Sequence, residues 1–259
     1  MPYALVTGGS KGIGKAVAEE LASKGFDILL VARSTSLLEK NVEEIHARFN
    51  VQCNYLTTDL ADPHSAQQVF DWCTQNSYTV SVLVNNAGFG VCDFFEKTES
   101  NEQFQMMQVN MVTPVLLCRL FIPLLHLQPK AYILNIGSTT CYQAIPLMSV
   151  YAASKSFILR FSRALHKELY KTNISVTCFC PGTTETDFSD RARINSKTVE
   201  KGKKVSMSPG SVAKYAVKAM FAQKQEVVPG FINKTTKFFA WLLPSSWIEK
   251  IAMDIYNQQ

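Results

Sequence analysis

Ser138, Tyr151 and Lys155 fall within one short stretch, NIGSTTCYQAIPLMSVYAASKSF. Tyr151 and Lys155 are four residues apart, so on a helix they share one face within side-chain reach. A phenol ordinarily ionises near pH ~10 and is a poor acid-base catalyst at neutrality. A neighbouring ammonium favours the phenolate and is expected to draw the tyrosine pKa down toward the working range. A tyrosine tuned in this way can move a proton to or from an oxygen on carbon.

The elements that must hold this pair alternate in type. Apolar runs at Ala4–Thr7, Asp27–Ala32, Val51–Thr57, Val80–Val84, Ala131–Ile136, Ile174–Phe179 and Glu226–Val228 read as strands. Between them lie helical patterns at Ile13–Lys24, Leu37–Phe49, His64–Asn76, Glu102–Leu127, Val150–Tyr170 and Val212–Phe221. Pro123 is expected to bend or end the long Glu102–Leu127 helix. Continuously apolar strands separated by helices indicate a parallel sheet covered on both faces. The expected fold is α/β: one Rossmann domain over residues 1–259, a doubly wound parallel sheet of about seven strands with helices on both faces.

After the first strand the chain reads Thr7-Gly8-Gly9-Ser10-Lys11-Gly12-Ile13-Gly14 and opens a helix. Such a turn needs positions without Cβ: for the bend, for close approach of a pyrophosphate and for tight helix packing. The helix N-terminus offers unpaired N–H groups to the phosphates. An acid at the end of the second strand would grip the ribose 2′-hydroxyl of NAD. Here that end reads Val31-Ala32-Arg33-Ser34. The planar fork of Arg33 suits a 2′-phosphate, and Lys11 adds charge, so the expected cofactor is NADP(H).

Composition excludes several other classes. The charged fraction is 18% and the net charge +5, a globular balance with no reason to invoke nucleic acid. The seven cysteines are scattered without a C-x-x-C pair, which argues against a disulfide framework or a zinc site. His46, His64, His126 and His166 are dispersed, so no metal ligand set and no hydrolytic triad is expected. The N-terminus enters a strand at once, leaving no room for a signal peptide, and no apolar run approaches the ~20 residues that span a bilayer. A reducing cytoplasm is the expected location.

With these motifs in order, the chain resembles the short-chain dehydrogenases/reductases from Tyr3 to about Asn233. Gly8, Gly12 and Gly14, with Ser10, Lys11 and Ile13 between them, look like that family's cofactor turn. Asp59-Leu60 resembles its adenine-binding pair, and Asn85-Asn86-Ala87-Gly88 its NNAG motif. Asn110 matches the catalytic asparagine; Ser138, Tyr151 and Lys155 match the catalytic serine and YxxxK. Pro181-Gly182-x-x-x-Thr186 resembles the PG motif that folds over the nicotinamide. Position 184 is threonine where the family more often has valine or isoleucine; the contact there is through the backbone and should survive.

The resemblance implies hydride transfer between a nicotinamide and a carbonyl or alcohol carbon. It makes Tyr151 the proton donor in reduction and Ser138 the donor to the carbonyl oxygen. It gives Lys155 both the tyrosine pKa and the nicotinamide ribose, and Asn110 a water linking Lys155 to solvent. It also implies a homodimer or homotetramer built through the Glu102–Leu127 and Val150–Tyr170 helices. A weaker resemblance to the 3-oxoacyl reductase and hydroxysteroid dehydrogenase branch tilts the substrate toward a lipophilic ketone or a 3-oxoacyl compound. Oxidation of an alcohol with NAD(P), and a non-catalytic cofactor-sensing role, stay open as alternatives.

Two segments bear on the substrate. Asp187–Met207 is polar and holds Arg191, Arg193, Lys197, Lys201, Lys203 and Lys204, a solvated flexible loop or a mobile lid for a negatively charged substrate. Residues 236–259 form an apolar extension. Ser245 or Ser246 can cap a helix with a stripe of Trp247, Ile248, Ile251, Ala252 and Ile255. That extension packs on its own domain, roofs a pocket, meets another subunit or makes peripheral contact with a membrane. Expected pocket walls are Phe89–Phe95, Thr140–Leu147 and the region after Thr186.

Overall fold

The strands form one seven-stranded sheet in the order β3-β2-β1-β4-β5-β6-β7. This computed structural model describes residues 1–203 and 205–257. Lys204 of the polar segment and residues 258–259 of the tail lie outside the described residues. The strands are β1 (Tyr3–Thr7), β2 (Asp27–Ala32), β3 (Cys53–Thr57), β4 (Val80–Asn85), β5 (Ala131–Ile136), β6 (Ile174–Phe179) and β7 (Glu226–Val227). All neighbouring pairs are parallel. β2, β4 and β6 are buried along their whole length, which is why they read as mainly apolar runs.

The period of two along each strand sorts the core into two layers. Leu5, Leu29, Leu83, Ile133 and Val176 point to one face, where α3 (Ser65–Gln75), α5 (Thr113–His126) and α6 (Ser149–Glu168) cover them. Ala4, Val6, Ile28, Leu30, Val82 and Leu134 point to the other, beneath α1 (Gly12–Ala22), α2 (Thr35–Phe49) and α9 (Pro209–Phe221). The sheet order reverses between β1 and β4, and the crevice at such a switch point is where doubly wound sheets bind ligands.

The helix expected over Glu102–Leu127 is built differently. It consists of α4 (Ser100–Met107), a π-helical turn at Gln108–Val112, and α5. Pro123 lies inside α5, which continues to His126, so the proline does not end it. By length and composition Ser100–His126 would suffice to cross a membrane, unlike the sequence expectation, but core helices pass the same test. Here Met106, Leu117, Phe121 and Leu125 are fully buried in the domain core.

The polar segment after Thr186 is not an open loop. It forms α7 (Phe188–Arg191) and α8 (Ser196–Lys203). Asn195 caps α8 by accepting from the Thr198 N–H at 2.9 Å. Pairs between Lys11 and Asp187 and between Arg193 and Glu102, both 2.5 Å, tie the segment to the glycine turn and to α4. The tail folds as α10 (Phe231–Leu242) and α11 (Ser245–Tyr256) around Pro244.

Candidate active site

Thr7 fixes the two chain ends that frame the crevice. Its hydroxyl donates to the Val84 carbonyl at 3.1 Å and accepts from the Asn86 N–H at 3.0 Å. The Asn86 amide donates in turn to the Thr7 carbonyl at 2.9 Å. The glycine turn is laid over this junction. Gly8 has φ +68°, a left-handed conformation that suits glycine. A Cβ on Gly14 would come within 2.2 Å of the Gly8 carbonyl oxygen. Gly14→Ala is therefore expected to lower stability by about 3 kcal/mol, as overpacking against backbone does; thermal unfolding without cofactor checks this. Asn41 of α2 donates to the carbonyls of Gly9 (3.1 Å) and Ser10 (2.8 Å), holding the turn from behind. Sequence reading missed it, because nothing in a helix of mixed composition marks one asparagine as a turn clamp.

A cleft of about 1260 Å³ runs from this turn to the Tyr151 region. Of the residues singled out from the sequence, Gly8, Ser10, Lys11, Gly12, Ile13, Arg33, Asp59, Leu60, Asn86, Ala87 and Gly88 line it. So do Ser138, Tyr151, Lys155, Pro181, Gly182, Thr184 and Thr186, and the two sets meet where Thr186 closes on Gly12 and Lys155 on Gly88. Gly14 lies beneath the turn, and Asn110 lies behind the wall. Glycine positions without room for a Cβ, set at a helix N-terminus, fit the pyrophosphate of a dinucleotide. On the same cleft, Arg33 stands 3.9 Å from Asp59, both half exposed.

Asn110 owes its position to the π-turn, a feature often found at functional sites. Its amide donates to the Phe89 carbonyl at 2.9 Å and to the Ser154 hydroxyl at 3.1 Å, and its oxygen accepts from the Phe89 N–H at 3.1 Å. Both ends of the amide thus clamp the chain that follows Gly88. A Cβ on Gly88 would lie 3.1 Å from Asn110 Oδ1 and 3.3 Å from Lys155 Nζ, so the two groups meet at that glycine.

Tyr151 and Lys155 lie one turn apart on α6, both buried, with Lys155 Nζ 5.9 Å from the Tyr151 ring centroid. The ammonium donates to the Ile136 carbonyl at 3.0 Å. Burial holds the Lys155 pKa down at about 8. Burial also pushes the Tyr151 phenol well above its ordinary value, and hydrogen bonding with Ser138 only partly opposes this. The expectation that Lys155 would draw the phenol down is therefore corrected. Burial is the largest influence on the phenol, because removing the phenolate from water is costly.

The wall beyond Tyr151 is apolar. Phe188 of α7 lies 5.2 Å from the Tyr151 ring, and Met148 packs with both around Gly90. Phe89, Ile194 and Tyr256 complete it. From the expected walls, Phe89, Thr140 and residues after Thr186 line the cleft, whereas residues 90–95 and 141–147 do not. The Thr140 hydroxyl is buried with no partner among the described residues. Arg191 stacks over the Phe89 ring at 4.2 Å and also lines the cleft. Tyr256, at the end of the tail, was not foreseen; it continues the Ile248–Ala252 spacing by one more turn.

The sequence matches the short chain dehydrogenase family over residues 2–197. It is 31% identical over 197 residues to hydroxysteroid dehydrogenase-like protein 1 of Gallus gallus, covering 75% of this chain and 59% of that protein. It is 30% identical over 258 residues to the very-long-chain 3-oxoacyl-CoA reductase of Bos taurus, covering 97% of this chain and 78% of that one. A short-chain dehydrogenase from Sphingobium yanoikuyae, solved in complex with NADPH, superimposes with a TM-score of 0.82 at 25% identity, covering 100% of this chain and 98% of that chain. Together with the parallel sheet and the glycine-framed cleft, these matches show that the chain belongs to the short-chain dehydrogenase family and is an oxidoreductase of that family.

Proposed function

We propose that this oxidoreductase reduces a lipophilic ketone or 3-oxoacyl compound to a secondary alcohol with NADPH. The observation that carries the reading is the convergence of Ser138, Tyr151 and Lys155 on one glycine-framed cleft whose far wall is apolar. Bound NADPH supplies the hydride. As charge builds on the carbonyl oxygen, Tyr151 gives it a proton and Ser138 donates a hydrogen bond. A phenol held protonated by burial is the form that reduction requires. Lys155 keeps a positive charge beside the reacting oxygen, and Asn110 holds the Phe89 segment against which that charge sits.

Arg33 supports NADP(H) over NAD(H). Its fork is exposed at the cleft's edge, and its contact with Asp59 at 3.9 Å is weak enough for a 2′-phosphate to displace. Lys11 is drawn to Asp187, an exposed pair that likewise leaves it free to turn. Arg33→Ala is expected to weaken NADPH binding about tenfold while changing NADH binding little, the cost of losing one charged hydrogen-bonding partner. Fluorescence titration with both cofactors measures this; tighter NADH binding by the unaltered protein would reverse the assignment.

We further propose a single domain over residues 1–259, assembled as a homodimer or homotetramer through α4–α5 and α6. Phe104, Val112, Leu116 and Phe157 on those helices are exposed. All seven cysteines are free, which suits a reducing cytoplasm. The deciding experiment is an NADPH-oxidation screen over ketones, 3-oxoacyl thioesters, steroids and sugars. Turnover confined to sugars would exclude the lipophilic reading.

A further inference from the structure

Helix α10 buries none of its twelve residues, although seven of them are apolar. Phe231 is 81% exposed and Trp241 79%, and Ile232, Phe238, Phe239 and Leu242 are each more than half exposed. Helix α11 is apolar over an arc wider than its contact with the domain. Ile248 and Ala252 turn inward, and Tyr256, on the same stripe, lines the catalytic cleft. Trp247, Ile251 and Ile255, also spaced by four, face outward. The stripe expected from the sequence was thus two adjacent faces, one in and one out. Soluble monomers rarely leave so large an apolar surface in water.

Charge indicates what covers it. Residues 197–259 hold ten lysines against four carboxylates, whereas residues 1–196 are close to neutral. Helices α10 and α11 themselves carry Lys234, Lys237 and Lys250 against Glu249 and Asp254, and Lys237 is paired with Glu226. More of the excess lies on α8, whose exposed Lys197, Lys201 and Lys203 stand on the helix that bonds to the end of α11 through Thr198. A two-fold contact with a second copy through this end of α11 would bring the α8 lysines toward one another. An anionic surface would be attracted to them instead. Trp241 and Trp247 stand on either side of Pro244, where α10 gives way to α11, and tryptophan favours the boundary between lipid and water.

We propose that helices α10 and α11 form a docking surface for an anionic lipid bilayer, with Phe238, Trp241, Trp247 and Ile251 set into the headgroup region. Because α11 carries lipid contact on one face and Tyr256 on the other, the substrate enters the cleft from the bilayer; this part rests on the lipophilic reading of the site. The end of α11 is fixed for that task. Asn195 donates to the Tyr256 carbonyl at 3.1 Å and Thr198 to the Ile255 carbonyl at 2.6 Å, joining it to the segment that carries α7 and α8.

Flotation of the full chain with phosphatidylcholine vesicles, with and without phosphatidylglycerol, tests the docking. Binding is expected to be at least about tenfold tighter to the anionic vesicles and to weaken with salt. A Trp241→Glu, Trp247→Glu, Ile251→Glu variant alters only exposed positions and is expected to stay in solution. It should reduce a water-soluble ketone at the unaltered rate and lose at least about tenfold in rate on a long-chain ketone carried in vesicles. Failure to bind either vesicle, or equal binding by the variant, overturns the proposal. So does a solution mass that halves in the variant without vesicle binding, since the face is then a subunit contact. Vesicle binding without reduction of any ketone would leave the docking standing and sink the catalytic reading alone.

Discussion

Tyr151→Phe is expected to leave NADPH binding within about twofold and to lower turnover by at least a hundredfold, the scale of a lost general acid. The ring is buried and packed against Phe188, and Gly90 lies beside it. Phenylalanine fills the same space, so the change removes the hydroxyl and little else. The pyrophosphate cradle is set by Gly8, Gly14 and Asn86, remote from that hydroxyl, so cofactor affinity has no reason to fall. The measurement is a fluorescence titration paired with single-turnover reduction. A variant that binds NADPH and still turns over within tenfold of the parent would remove Tyr151 from the proton-transfer role.

The central sheet was legible because burial on both faces leaves a strand little but apolar residues. Asp27–Ala32, Ala131–Ile136 and Ile174–Phe179 were bounded correctly from that signal alone. The glycine turn was legible for a related reason: a missing Cβ is visible in the sequence. What escaped were features set by partners far along the chain. One extra residue in a helical turn shifts the apolar period only slightly, so the π-turn that aims Asn110 was hidden within Glu102–Leu127. The segment after Thr186 looked like loop because its order comes from Glu102 and Lys11, at least 90 positions away. In α11 the spacing of four was readable, but not which of two neighbouring stripes faces the domain.

The pairing of Tyr151 with Lys155 shows the same limit in electrostatics. Spacing placed the two groups on one face, yet the sign of the phenol shift depended on how deeply α6 packs, which spacing does not report. That depth has a consequence for stability. Lys155 is held at about pH 8 in the folded protein, well below the ordinary lysine value of ~10.4. Below pH 8 the folded state carries the charge and its desolvation cost, about 3 kcal/mol at ~1.4 kcal/mol per pKa unit. Between about pH 8 and 10 the folded lysine loses its proton before the unfolded one does, so the cost fades as pH rises. Lys155→Met keeps the length and removes the charge. It leaves the Ile136 carbonyl without its donor, which returns about 1 kcal/mol of the gain. The variant is expected to be about 2 kcal/mol more stable than the parent at pH 7, with Tm raised by about 4 to 8 °C for a chain of this size. The difference should narrow toward pH 10. Turnover is expected to fall at least a hundredfold, since the charge that favours the developing phenolate is gone. Thermal unfolding of both proteins at pH 7 and pH 10 checks the sign. A methionine variant less stable at pH 7 would mean that the ammonium strengthens the fold as well as serving the reaction.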